Sequence, residues 1–188
     1  MKQKFFAAIM GLCFSFTALA ANPIVEMKTN QGSITLELYA DKAPKTVANF
    51  LSYVKTGYYQ GVIFHRVIDG FMIQGGGFDT QLREKETAAQ IQNEATNGLK
   101  NETYTIAMAR TSAPHSATAQ FFINLKDNDN LNHTAPNMYG WGYAVFGKVV
   151  KGQDVVMKIA KTRVGEQGPF SSDVPKQMVV IEEIKLLP

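Results

Sequence analysis

Short apolar runs bounded by turn-forming residues recur along this chain, and a helical period of apolar residues appears in only two places. Residues 24–29 and 33–39 flank Asn30-Gln31-Gly32. Ile34, Leu36 and Leu38 alternate with polar neighbours, which predicts a β-hairpin with one buried face. Asp41-Lys42-Ala43-Pro44 then opens a helix, because proline in a first helical turn has no N–H left unpaired. Val47, Phe50, Leu51 and Val54 form its apolar stripe at i, i+3, i+4 and i+7, and Gly57 is the expected stop. Two strand-like runs, 62–68 and 71–74, are joined by the turn-forming Asp69-Gly70. Gly75-Gly76-Gly77 ends the second run and reads as a backbone turn with room for a neighbouring chain. Further strands are expected at 103–109, 120–125, 143–149 and 178–186. A short amphipathic helix carries Val155, Val156, Ile159 and Ala160 after Gly152. Between Gly77 and about Glu102 the chain is polar and aperiodic, longer than a passive connection and so expected to be a working surface. Eight strands and two helices in one unrepeated domain predict a mainly β barrel or sandwich, and periodicity does not choose between them.

Composition changes this picture at the N-terminus. Lys2 and Lys4 precede an apolar run from Phe5 to about Thr17 and the small-x-small triplet Ala18-Leu19-Ala20, the layout of a cleavable export signal. The run is too short and too interrupted for a bilayer span, so no stable membrane insertion is expected after cleavage. The organisation is then a signal peptide at 1–20 and one domain at 21–188, located in the periplasm or secreted. Loss of Lys2 and Lys4 lowers the formal charge from +3 to +1, and no basic run follows, which argues against nucleic acid as a partner. Cys13, the single cysteine, lies in the leader, so the domain has neither disulfide nor thiol chemistry.

Most catalytic classes lack their signatures. There is no G-x-S-x-G, H-E-x-x-H or P-loop pattern. Gly75-Gly76-Gly77 is followed by neither Lys-Ser/Thr nor a helix start that would cradle phosphate. His65, His115 and His133 are widely spaced and read as one core and two loop histidines, so neither a metal nor a cofactor is expected. One segment stands apart, FHRVIDGFMIQGG from Phe64 to Gly76. Arg66 interrupts a strand otherwise fit for a core and must face solvent or a groove, because an unpaired buried guanidinium is very costly. Phe71, Met72 and Gln74 follow closely, and Gln120-Phe121-Phe122 supplies a second strand of similar character.

Together FHRVIDGFMIQGG, AMARTSAPHSATAQFFINL and YAVFGKVVKG resemble the three signature blocks of the cyclophilin family, in order and at its approximate separations. The resemblance runs from about Ile24 to Leu187 and is nearest to the exported bacterial members. It implies a closed eight-stranded antiparallel β-barrel capped by two α-helices, a monomer, and isomerisation of the peptide bond preceding proline in flexible or unfolded polypeptides. Position by position, it implies Arg66 and Gln74 as the catalytic pair. Phe71, Met72, Phe122 and Leu131 would hold the proline ring, Gln120 would add a polar contact, Ala109 and Arg110 would line the substrate backbone, and Tyr143 would complete the wall. Asn130 stands where many members carry a tryptophan that donates to cyclosporin, so weak binding of that drug is expected. Trp141 does not match that position. Two other functions remain open at this point: a proline-peptide binding module or holdase, whose isomerase activity is incidental, and a metal-dependent hydrolase built on the three histidines.

Overall fold

The structure, a computed structural model, describes residues 21–188, so the leader assigned to 1–20 lies outside the described residues. In chain order the strands are β1 Ile24–Thr29, β2 Gly32–Leu38, β3 Val62–Ile68, β4 Met72–Asp79, β5 Thr105–Met108, β6 Phe121–Asn124, β7 Val145–Lys151, β8 Val164–Gln167, β9 Phe170–Pro175 and β10 Val180–Leu186. The helices are α1 Pro44–Lys55 and α2 Gln153–Ala160. Eight strands close into a barrel in the order β1-β10-β3-β4-β6-β5-β7-β2, with antiparallel neighbours throughout. Barrel rather than sandwich is therefore the architecture, and both expected helices are present. Among the described residues no helix is long and apolar enough to cross a membrane.

Inward-facing residues of alternating strands fill the barrel, and α1 plugs one part of it with Phe50. The Phe50 ring lies 5.2 Å from Tyr59, 5.9 Å from Phe121 and 5.3 Å from Phe146, all four being buried. Burial of each such ring contributes on the order of 2 kcal/mol. At the β3–β4 turn, Phe71 N–H donates to Ile68 C=O at 3.0 Å and Gly70 takes a φ of +68°, as an Asp-Gly pair favours.

The structure differs from the sequence expectation in two places. β4 does not stop before the glycines but runs through them to Asp79. Gly76 has a φ of +95°, and a Cβ there would meet Ala119 C=O at 2.8 Å, so the absent side chain lets neighbouring backbone approach within a strand rather than at a turn. The second difference is the β8–β9 hairpin, a two-stranded sheet outside the barrel that the sequence reading left unassigned. Its polar β9 segment has no period-two pattern. Phe170 fixes it to the outside of the barrel, at 5.0 Å from Phe78 and 5.6 Å from His65, while Val174 and Pro175 are buried.

The long aperiodic segment is pinned at Glu94. Its carboxylate accepts from Lys45 N–H at 3.1 Å and Thr46 N–H at 2.8 Å, and from the Thr46 hydroxyl at 2.7 Å. Ala43 at the helix start offers no side-chain cap, so Glu94 supplies the missing acceptor and a negative charge at the positive end of α1. Glu94→Ala is expected to lower stability by about 1–2 kcal/mol in urea unfolding, whereas Glu86→Ala in the same exposed stretch should stay within about 0.5 kcal/mol.

His65 is buried between Phe78 and Phe170, its Nδ1 has no hydrogen-bond partner, and burial followed by the adjacent Arg66 charge pushes its pKa down to about 4. The unfolded chain takes up this proton near the ordinary value of about 6.5, so stability is unaffected above that pH and falls as the pH drops from 6.5 towards 4. The full loss is about 3 kcal/mol. His65→Phe should remove that component, and the difference between the wild-type and variant stability curves should develop between these two pH values and level off below about 4.

Candidate active site

Three neighbouring strands carry apolar residues on both faces. On β4, β5 and β6 the residues Ile73, Ile106, Met108, Phe121 and Ile123 belong to the barrel core. Their alternates Met72, Ala107 and Phe122 join Val145 of β7 in a second, smaller cluster. Period-two geometry puts this second set on the outside of the barrel. Register aligns it, since Phe122 faces Gln74 on one side and Ala107 on the other. Phe71, Ala109, Leu131 and Tyr143 pack around the cluster and leave a cavity of about 200 Å³ open to solvent. That volume is below the roughly 300–1,000 Å³ of most small-molecule and cofactor sites and suits one compact side chain. A wider hollow of about 470 Å³ lies elsewhere, with Tyr39, Leu99 and Val145 beside Lys42, Lys148 and Glu102, and none of the residues predicted for the site lines it.

Arg66 reaches the small cavity from β3, paired in register with Gln74. Its side chain is 47% exposed, and its nearest anion is Asp173, with Nε 3.9 Å from a carboxylate oxygen. Gln74 donates from Nε2 to Gln120 Oε1 at 3.0 Å. Gln120 does not line the cavity itself but holds Gln74 from behind. The lack of a side chain at Gly77 makes this possible, because a Cβ there would lie 2.6 Å from the Gln120 amide.

Arg110 is used differently. Its guanidinium stacks 4.6 Å from the Tyr143 ring centroid, Nε donates to Gly142 C=O at 2.9 Å, and Nη1 donates to Thr111 C=O at 2.9 Å. Those bonds commit it to the wall, where Tyr143 also meets Phe122 edge-on at 5.6 Å. Among the described residues Arg66 has no side-chain hydrogen bond to a backbone carbonyl, which leaves its donors available at the cavity. Of the ten residues predicted for the site, nine converge on this cavity, and Gln120 joins them through Gln74. Asn130 is exposed in the 3-10 turn Asp129–Leu131 and does not line it.

Sequence reasoning missed the polar frame behind the wall. Asn101, Asn124 and Asn128 are buried. Asn128 Nδ2 donates to Phe71 C=O at 2.9 Å and to Asn124 Oδ1 at 2.7 Å. Asn124 Nδ2 donates to Asn101 Oδ1 at 3.2 Å, and Asn101 Nδ2 donates to Leu131 C=O at 3.1 Å. This chain of amides ties Phe71 to Leu131, while Tyr143 N–H donates to the same Leu131 carbonyl at 2.9 Å. The available signal was Asn124 itself, an amide ending the otherwise apolar strand Phe121-Phe122-Ile123-Asn124. The histidines do not converge: His65 lies beneath the β8–β9 hairpin, and His115 and His133 flank Trp141 at 4.6 Å and 5.8 Å. Among the described residues no three metal-ligating side chains cluster.

The family model for cyclophilin type peptidyl-prolyl cis-trans isomerases matches residues 24–186. Peptidyl-prolyl cis-trans isomerase cyp18 of Streptomyces antibioticus is 60% identical over 163 residues, covering 87% of this chain and 98% of that protein. A peptidyl-prolyl cis-trans isomerase of Acinetobacter baylyi is 54% identical, covering 99% of this chain and 96% of that one. Among solved structures, a Cryptosporidium parvum cyclophilin type isomerase crystallised in the presence of the dipeptide Ala-Pro superposes with a TM-score of 0.71 at 27% identity, covering 88% of this chain and 99% of that one. With a fold that superposes on that structure, and with every groove residue but Leu131 in the signature blocks that first suggested it, this chain belongs to the cyclophilin-type peptidyl-prolyl cis-trans isomerase family.

Proposed function

We propose that this enzyme accelerates rotation about X-Pro peptide bonds of exported polypeptides, in the periplasm or after secretion, and so assists their folding. The observation that carries the chemical part is a half-exposed guanidinium with free donors at the rim of an apolar slot sized for one compact ring. The proline ring sits against Phe71, Met72, Phe122 and Leu131, and the flanking substrate backbone runs along Ala109 and Arg110. The compartment rests on the leader-like layout of residues 1–20 and on a domain that contains no cysteine. Ala-Pro, present with the related Cryptosporidium parvum structure, is the smallest ligand of the required chemistry.

No covalent bond has to break. The planar peptide resists rotation by about 18–20 kcal/mol because the nitrogen lone pair is delocalised into the carbonyl. Twisting localises that lone pair on a pyramidal nitrogen, which then accepts a hydrogen bond it could not accept when planar. Arg66 is suited to donate there or to the adjoining carbonyl, since its donors are fixed in a fork and it does not deprotonate. Gln74, held by Gln120, adds a donor or acceptor at the same rim. Burial of the ring in the slot removes water and immobilises one side of the rotating bond, so that these contacts are stronger at the twisted geometry than at either planar end. An acceleration of about 10⁵-fold requires only about 7 kcal/mol of such differential stabilisation.

Arg66→Ala is expected to lower kcat/KM on a short prolyl peptide about a hundred- to thousandfold, with an unchanged thermal midpoint. Arg66→Lys should fall between the two, because it keeps the charge but not the fork. A protease-coupled or NMR exchange assay on residues 21–188 measures both, and near wild-type turnover by Arg66→Ala would exclude this mechanism. If Arg66→Ala abolishes turnover yet a cellular phenotype is fully complemented, peptide binding rather than isomerisation is the function. Asn130 lacks an indole donor, so cyclosporin should inhibit weakly, and a nanomolar inhibition constant for the purified domain would refute that expectation.

A further inference from the structure

The β8–β9 hairpin contributes nothing to barrel closure, yet it lies across β3 at the position of Arg66. Its ladder is irregular. Gly165 pairs with Val174 and Gln167 with Phe170, so Glu166 alone stands opposite Ser171, Ser172 and Asp173. Such bulges redirect the side chains of the longer strand. At the end of this one, Asp173 has a φ of +66°, one of only three non-glycine positive values among the described residues. That conformation is unfavourable for an L-residue and persists where the surroundings enforce it. The surroundings here are firm on both sides. Phe170 is packed against Phe78 and His65, Val174 is buried, and Gln167 Nε2 donates to Pro175 C=O at 2.8 Å. The enforced result is a carboxylate aimed at Arg66.

We propose that Asp173 is a positioning residue for Arg66, holding the guanidinium by its Nε edge so that the two Nη groups face the groove. The inference rests on the reading of Arg66 as the catalytic group. The contact is 3.9 Å from Nε, and among the described residues no other carboxylate pairs with Arg66. Without it, a long and half-exposed side chain would distribute over several rotamers, of which few place a donor at the rotating bond. Loss of the carboxylate therefore reduces the fraction of productive complexes and leaves the apolar slot that binds the ring intact. The effect belongs in kcat and not in KM. A pair this exposed is also screened by salt, and at 1 M the screening length of about 3 Å is shorter than the contact.

The test uses two variants whose backbones tolerate a left-handed residue, Asp173→Asn and Asp173→Gly. Both should lose about five- to tenfold in kcat on a short prolyl peptide with KM within about twofold of wild type, while the thermal midpoint is unchanged or, for the glycine, higher. High salt should bring wild-type turnover towards that of Asp173→Asn and leave the variant unaltered. In an Arg66→Ala background, Asp173→Asn should cause no further loss. Wild-type kcat in both single variants overturns the assignment, as does an equal loss in the presence and absence of Arg66, which would make Asp173 a structural residue of the hairpin. If Arg66→Ala itself turns over normally, the reading of the groove fails first and this assignment falls with it.

Discussion

The pairing register of β4, β6 and β5 is the constraint on which the molecule depends. Along these strands each residue faces either the barrel core or the groove, and both faces are apolar. Phe121 and Phe122 are adjacent in sequence and serve opposite sides, one packed edge-on to Phe50 and the other lining the cavity. A slip of a single residue would exchange them, and would exchange Ile73 with its groove-facing neighbours too. Fold and site are thus two readings of one hydrogen-bonded ladder. The glycines of β4 belong to the same constraint. They let β3 and the chain entering β6 approach closely enough for Arg66, Gln74 and Phe122 to stand side by side.

What converts this apolar face into a site for chemistry is the rigidity of its surroundings. The wall is fixed by buried amides bonded to one another and to the carbonyls of Phe71 and Leu131, in which Asn128 Oδ1 alone has no partner among the described residues, an arrangement worth its desolvation only when nearly complete. Arg110 and Tyr143 close the side by stacking, with the arginine's donors bound to the carbonyls of Gly142 and Thr111. Against this rigid background Arg66 has no hydrogen bond to a backbone carbonyl among the described residues, and its guanidinium stands at the cavity rim. A bond rotation is well matched to such a site, because the reacting atoms move little and the catalyst has only to be in place before they do.

The elements with strong periodicity were legible from sequence. Val47, Phe50 and Val54 marked α1, Ile34, Leu36 and Leu38 marked β2, and eight runs of strand character correspond to the eight barrel strands. Except for Leu131, which lies between the second and third blocks, the groove residues were legible only as members of long signature blocks; Phe122 alone would have passed for a core side chain. Features built on long-range polar contacts were not readable. Glu94 acts on a helix that begins fifty residues earlier in the chain, and nothing near it in sequence marks the partner. Asn101, Asn124 and Asn128 meet only after the barrel closes. The β8–β9 hairpin escaped because its ladder is held by Phe170 and Val174 against β3 and carries no alternation of its own.

Closure of the ladder has a further effect on what the barrel can bind. Every barrel strand has a neighbour on each side, although β10 and β3 meet over only two residue pairs, so no barrel strand is left as a whole free edge for a passing extended chain to lengthen. A peptide that meets the barrel is offered the side-chain slot and the wall beside it, not a strand edge. Closure of the barrel in this way guards the molecule itself against strand addition by other chains.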